Sequence, residues 1–249
     1  MRPRLCGGPM GTELARRGFA LAAPAWSAAA NLDAPDLVAA IHREHVAAGA
    51  EQITANTTCA HRHDVGDAQV EICRVAIDLA RRAGVGVAAS LAMLPASMST
   101  QRRALEYART TAAMRGADVL LLEGFVDADE LVRALEVTRD WPGPRWAALA
   151  GPGAAQLPAL VPRALAEGVA LVAVHCCPLD DAAAALSAAR TAYPDAPLGA
   201  YPSPAIERDD DGFARALVDL AERIGLTWIG SCCGGTPATT AALGAARDR

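Results

Sequence analysis

Eight short apolar runs, each followed by a longer amphipathic stretch, limit what this chain can fold into. The runs lie at residues 4–7, 51–56, 85–92, 118–123, 145–150, 169–176, 197–202 and 227–232. Helical periodicity fills 34–48, 67–83, 99–116, 128–139, 155–167, 180–192, 210–224 and 237–247. Several of the runs carry almost no polar residue, as strands covered on both faces do. Strict alternation predicts a parallel sheet wrapped by helices. Eight repeats within 249 residues predict a single-domain α/β fold, a (β/α)8 TIM barrel over 1–249. An open dinucleotide-binding sheet needs Gly-x-Gly-x-x-Gly after an early strand, and Gly7-Gly8-Pro9-Met10-Gly11-Thr12 lacks that spacing.

Local signals agree with this register. Asp33-Ala34-Pro35 reads as a cap and early proline opening a helix that Gly49 closes, and Thr236-Pro237 repeats the opening signal. Asp209-Asp210-Asp211 reads as another helix start, after a polar loop over 202–211. A net charge of −5 provides no basic face, which argues against a nucleic-acid partner. No apolar run reaches the roughly 18–20 residues of a membrane span. The first eight residues form no apolar leader, so the expected location is the cytoplasm. There the seven cysteines are expected as thiols, metal ligands or redox groups rather than a disulfide framework.

The cysteines carry the chemistry. Cys176 ends the sixth run, and the adjacent Cys232 and Cys233 end the eighth. In one parallel barrel these ends emerge on the same face, the face on which such barrels build their sites. Three converging thiolates form a soft site suited to Zn2+, with room for a fourth ligand. The other residues at strand ends are Gly7 and Gly8, Asn56 to Cys59, Glu123, His175, Cys177 and Tyr201.

These residues carry a family resemblance. Gly8-Pro-Met-Gly-Thr-Glu-Leu14, Trp26-Ser27, His42 through Thr58, Leu120-Leu-Leu-Glu123, Val174-His-Cys176, Tyr201-Pro-Ser203 and Ile229 through Pro237 occur in order. Together they resemble the homocysteine S-methyltransferase family over nearly the whole chain. The resemblance implies a zinc-dependent enzyme that methylates a thiol, most simply homocysteine to give methionine. It maps the metal ligands onto Cys176, Cys232 and Cys233, and the group holding the substrate amine onto Glu123. It also offers Cys59 as a fourth ligand at rest; Asn56, Tyr201 and Gly8 are expected as substrate-binding positions from their places at the strand ends. The implied methyl donor is S-methylmethionine, S-adenosylmethionine or a methyl-carrying partner protein.

The chain departs from the family pattern at Gly7, where an Asp is usual, and at His175, where an Asn is usual. Its loops on the site face are short. These departures motivate a second reading, a non-catalytic or partner-dependent thiol- or zinc-binding barrel. A lyase or isomerase on the same fold is a third, since fold alone does not fix chemistry.

Each residue also has a plainer role. Cys6 and Cys73 read as small core residues. Strand alternation turns His175 away from Cys176, which suits packing or support of a ligand more than ligation. Cys177 is either a neighbour or an alternate ligand. Asn56 is either a turn residue or part of the site, and Tyr201 stands equally open. His61, His63 and Asp64 suggest a metal cluster but read more simply as a solvated loop.

Overall fold

A computed structural model describes residues 2–204 and 209–249, so residues 205–208 of the expected polar loop lie outside the described residues. The strands are β1 (Arg4–Leu5), β2 (Gln52–Ala55), β3 (Gly86–Ala92), β4 (Val119–Phe125), β5 (Arg145–Ala150), β6 (Leu171–His175), β7 (Leu198–Tyr201) and β8 (Trp228–Ile229). They pair in parallel in the order β1-β8-β7-β6-β5-β4-β3-β2. The Gly7 N–H donates to the Gln52 carbonyl at 2.7 Å and the Glu51 N–H to the Leu5 carbonyl at 2.9 Å, which joins β1 to β2 and closes the ring. The fold is the expected (β/α)8 barrel.

The helices are α1 (Met10–Arg16), α2 (Ala30–Asp33), α3 (Pro35–Ala47), α4 (Arg62–Val65), α5 (Gln69–Arg81), α6 (Thr100–Ala113), α7 (Ala128–Val137), α8 (Leu157–Ala166), α9 (Leu179–Ala192), α10 (Asp210–Ile224) and α11 (Pro237–Arg247). None of those described is long and apolar enough to cross a membrane. The eight long periodic stretches all became helices. The short α1, α2 and α4 were not foreseen. Asp33 is not the cap of α3; it is the last residue of α2, and the Ala34 cap position makes no side-chain bond. The other starts follow the rules. Asp209 accepts the Gly212 N–H, and Thr236 forms a reciprocal capping box with Thr239.

Most of the core lies between barrel and helices, where Leu122, Phe125, Leu149 and Phe213 are fully buried. Cys73 belongs to it. Within this layer Glu130 accepts hydrogen bonds from Arg103 at 2.7 and 3.0 Å, Arg133 at 3.0 Å and Tyr107 at 3.1 Å. Burial raises the Glu130 carboxyl pKa, but these donors outweigh it and hold the group below its ordinary value.

The barrel interior is filled unevenly, and that positions the site. At the base, Trp146 and Trp228 pack with centroids 4.9 Å apart, and the Arg4 guanidinium covers the Trp228 ring at 4.2 Å. Higher up, buried interior positions are small, among them Cys6, Ala148 and Ala173. A Cβ on Gly230 would meet Cys6 Cβ at 3.1 Å and the Tyr201 ring at 3.2 Å. Small side chains leave the upper barrel hollow, where bulky branched residues usually fill it.

Candidate active site at the barrel mouth

The hollow opens at the C-terminal ends of the strands as a cavity of about 290 Å3. Cys176, Cys232 and Cys233 all line it. β6 ends at His175, and Cys176 takes the left-handed conformation with φ +52. That turn reverses the alternation expected for an extended chain. His175 and Cys176 therefore both face the cavity, against the expectation that they point apart. Cys177 turns the other way and is buried in the outer core. β8 stops at Ile229, but the Cys232 N–H still donates to the Pro202 carbonyl at 2.9 Å and holds the cysteine pair beside the end of β7.

The three thiols meet. Cys176 Sγ lies 3.3 Å from Cys233 Sγ, and Cys232 Sγ lies 4.0 Å from Cys233 Sγ. Ligand atoms of His175, Cys176 and Cys232 lie within 4.8 Å of one another, a group able to hold a metal ion. The cluster is electrostatically coupled. Hydrogen bonds from Cys232 and Cys233 draw the Cys176 thiol well below its ordinary pKa. The same contacts with Cys176 push Cys232 and Cys233 up. One sulfur of the three thus carries the negative charge first.

Glu123, on β4, is the acidic side chain among the described residues that line the cavity, and no Arg or Lys joins it among them. The Ser90 hydroxyl donates to Glu123 Oε1 at 2.5 Å and itself accepts from the Thr58 hydroxyl at 2.9 Å, so the carboxylate is held in place. Gly7 adds no second carboxylate, and a Cβ there would already meet Ile53 Cγ2 at 3.0 Å. Gly8 lines the cavity, and its N–H donates to His45 Nδ1 at 3.2 Å. A Cβ on Gly8 would sit 2.6 Å from His45 Cε1, so this close approach requires glycine. Burial lowers the His45 pKa to about 4, leaving the ring neutral.

Asn56 also faces the cavity. Its amide donates to the Ser27 carbonyl at 2.6 Å and to Asn31 Oδ1 at 3.0 Å, which ties the β2 end to the segment after α1. Tyr201 lines the cavity too. Its hydroxyl faces the Cys6 thiol without a hydrogen bond of good geometry, and burial raises its pKa. Cys6 combines the expected core burial with a place in the lining, and burial raises its thiol to about 12. Cys59 is not among the lining residues. It packs against the outer core, where burial, with the Asp64 charge second, raises its thiol to about 11.

The solvated-loop reading fails for His61, which is buried. Its ring contacts the Thr110 hydroxyl at 3.0 Å and the Ala92 carbonyl at 2.9 Å, so it ties the start of α4 to β3 and α6. His63 is exposed as expected. Trp26, Thr54 and Gln52 also line the cavity; they lie in the family-like segments but were not singled out as site residues. Period-two reading from Asn56 back along β2 points Thr54 and Gln52 the same way, which was the available signal. Trp26 sits on an irregular segment with φ +46, so no strand or helix period points it into the cavity.

No curated protein matches the chain by sequence comparison. Among solved structures, the apo homocysteine methyltransferase MmuM of Escherichia coli is 23% identical with a TM-score of 0.83, over 99% of this chain and 96% of that one. The metallated form of MmuM gives 23% and 0.83 over 98% and 96%. KGPDC of Streptococcus mutans is 13% identical with a TM-score of 0.58, over 100% and 99%. These likenesses carry the barrel fold. The family model described as homocysteine S-methyltransferase matches residues 4–247. On that match, the chain is a member of the homocysteine S-methyltransferase family.

Proposed function

We propose that this protein is a zinc-dependent thiol S-methyltransferase of the reducing cytoplasm, with homocysteine as acceptor and methionine as product. The observation that carries the reading is the meeting of the Cys176, Cys232 and Cys233 sulfurs beside a held carboxylate in a one-domain barrel. The donor set fits zinc. With Zn–S near ~2.3 Å, a tetrahedral edge is about 3.8 Å, and the sulfur separations of 3.3 and 4.0 Å bracket it. Family membership supports the same assignment, as does the existence of a metallated MmuM.

Bound zinc supplies Lewis acidity that keeps a substrate thiol ionised at neutral pH, where a free thiol of pKa about 8.5 is mostly protonated. The chain's own residues do the rest. Cys176, Cys232 and Cys233 are the residues that would hold the ion as thiolates. Glu123, fixed by Ser90, pairs with the substrate ammonium in a charge-assisted contact. Asn56, Tyr201 and Gly8 shape the walls that orient the acceptor.

The lining suits a cationic donor, since among the described residues it carries Trp26, Trp146 and Tyr201 and no Arg or Lys. A sulfonium such as S-methylmethionine or S-adenosylmethionine has that charge. The acceptor sulfur forms the new C–S bond while the old one breaks, and its electron pair stays on the donor sulfur as a neutral thioether. The test combines elemental analysis of a chelator-free preparation with methionine formation from homocysteine and each donor. One zinc per chain and methionine formation are expected. Absence of both sinks the reading, whereas zinc without transfer to any thiol identifies a non-catalytic or partner-dependent barrel.

A further inference from the structure

His175 touches the thiol cluster, and its surroundings settle what its ring offers. Gly124 has φ +78 and lies where the β4–β5 register shifts, between Leu122 and Phe125. The irregularity turns its N–H out of the ladder. That N–H donates to His175 Nε2 at 2.7 Å. A backbone N–H has no acceptor capacity, so Nε2 presents its lone pair and the proton of the neutral ring sits on Nδ1. Nδ1 lies 3.8 Å from Cys232 Sγ and 3.7 Å from Glu123 Oε2. Sulfur is large enough to accept at this range; a carboxylate oxygen is not. Turning the ring over would bring carbon to both Gly124 and Cys232 and forfeit both contacts.

We propose that His175 is a positioning residue that donates its Nδ1–H to the Cys232 sulfur and stays outside the metal's ligand set, leaving the open position to the substrate sulfur. This rests on the reading of the thiol cluster as a metal site. Proximity alone makes His175 a candidate ligand, because its nitrogen shares the 4.8 Å group with Cys176 and Cys232. Ligation through Nδ1 needs a lone pair there and a proton on Nε2. That proton would face the Gly124 N–H across 2.7 Å, two donors with nothing to accept. The backbone therefore fixes the tautomer, as outer partners commonly do for histidines around metals. The donated hydrogen bond draws charge off the Cys232 sulfur. An electrophilic methyl group is then met by the substrate sulfur rather than by this thiolate of the protein.

Two measurements on the full chain test the assignment. Long-range proton–nitrogen NMR correlations of isotope-labelled protein, metal-free and loaded with NMR-active cadmium, read the tautomer without any mutation. A protonated Nδ1 and bare Nε2 are expected in both forms, with no cadmium coupling to the ring. A protonated Nε2 in either form, or a cadmium coupling, overturns the proposal. In cobalt(II)-loaded protein, loss of the donor raises the energy of the sulfur lone pairs. The sulfur-to-cobalt charge-transfer band of His175→Phe should therefore move to lower energy at unchanged intensity, and His175→Asn, which keeps an N–H, should move less. An unmoved band, or a spectrum showing a lost nitrogen ligand, also overturns it. Uptake of neither metal instead defeats the zinc reading under it, while the metal-free NMR spectrum reports separately whether the tautomer is as drawn.

Discussion

Glu123→Gln isolates the electrostatic part of substrate recognition. The amide has the size of the carboxylate and keeps an oxygen for the Ser90 hydroxyl, so the cavity wall should hold its shape. What disappears is the one carboxylate among the described residues of the lining, which Gly7 does not back up. A hydrogen bond to a charged group contributes about 1.5–3 kcal/mol, or roughly 10- to 150-fold in affinity. An acceptor thiol that carries an ammonium group should weaken by that factor. A thiol of the same length without the amine should bind variant and wild type within about 2-fold, since it never used the charge. Calorimetric titration of zinc-loaded protein with both thiols closes the cycle. Equal losses for the two thiols would refute the pairing of Glu123 with the amine and assign the effect to the cavity wall.

Other predictions follow from packing and ionisation. Removing zinc from the loaded protein by chelation should lower its melting temperature, because a ligand at 100 times its Kd stabilises by about 2.7 kcal/mol; Cys232→Ala should melt at one temperature with or without chelator. Gly8→Ala should cost about 1–3 kcal/mol by overpacking against the His45 ring, and His45→Ala in the same chain should recover part of it in urea titrations. Glu130→Ala strands Arg103 in a buried setting and should cost about 3–5 kcal/mol. The Glu130 carboxyl lies below its ordinary 4.5 in the folded protein, so its contribution is present above that pH and is lost as pH falls through the folded value. The acid limb of the stability curve should therefore flatten below pH 4.5 in Glu130→Gln.

The barrel was legible because its strands are short apolar runs closed on both sides, as in the buried 145–150 segment, and its helices are long enough to show their period. Strand ends on one face point to Cys176, Glu123, Tyr201 and Cys232–Cys233 as neighbours, and all of them line the cavity. The failures occurred where distant contacts override local pattern. α1 has seven residues behind a Gly-Gly-Pro stretch, too few for periodicity. His61 looks solvated among polar neighbours, yet Thr110 and Ala92, far along the chain, bury it. The orientation of His175 followed from alternation until Cys176 adopted a left-handed conformation, which is uncommon for a residue with a side chain. The tautomer depends on a glycine fifty-one positions earlier, at a strand irregularity that composition does not reveal.

The aromatic plug at the barrel base has a kinetic consequence. With Trp146, Trp228 and Arg4 closing the lower end, traffic passes through the C-terminal mouth. Whichever reactant settles deeper must arrive before its companion and depart after it. Initial-rate patterns should therefore show compulsory order, with the later-leaving product competing directly against the first-entering reactant.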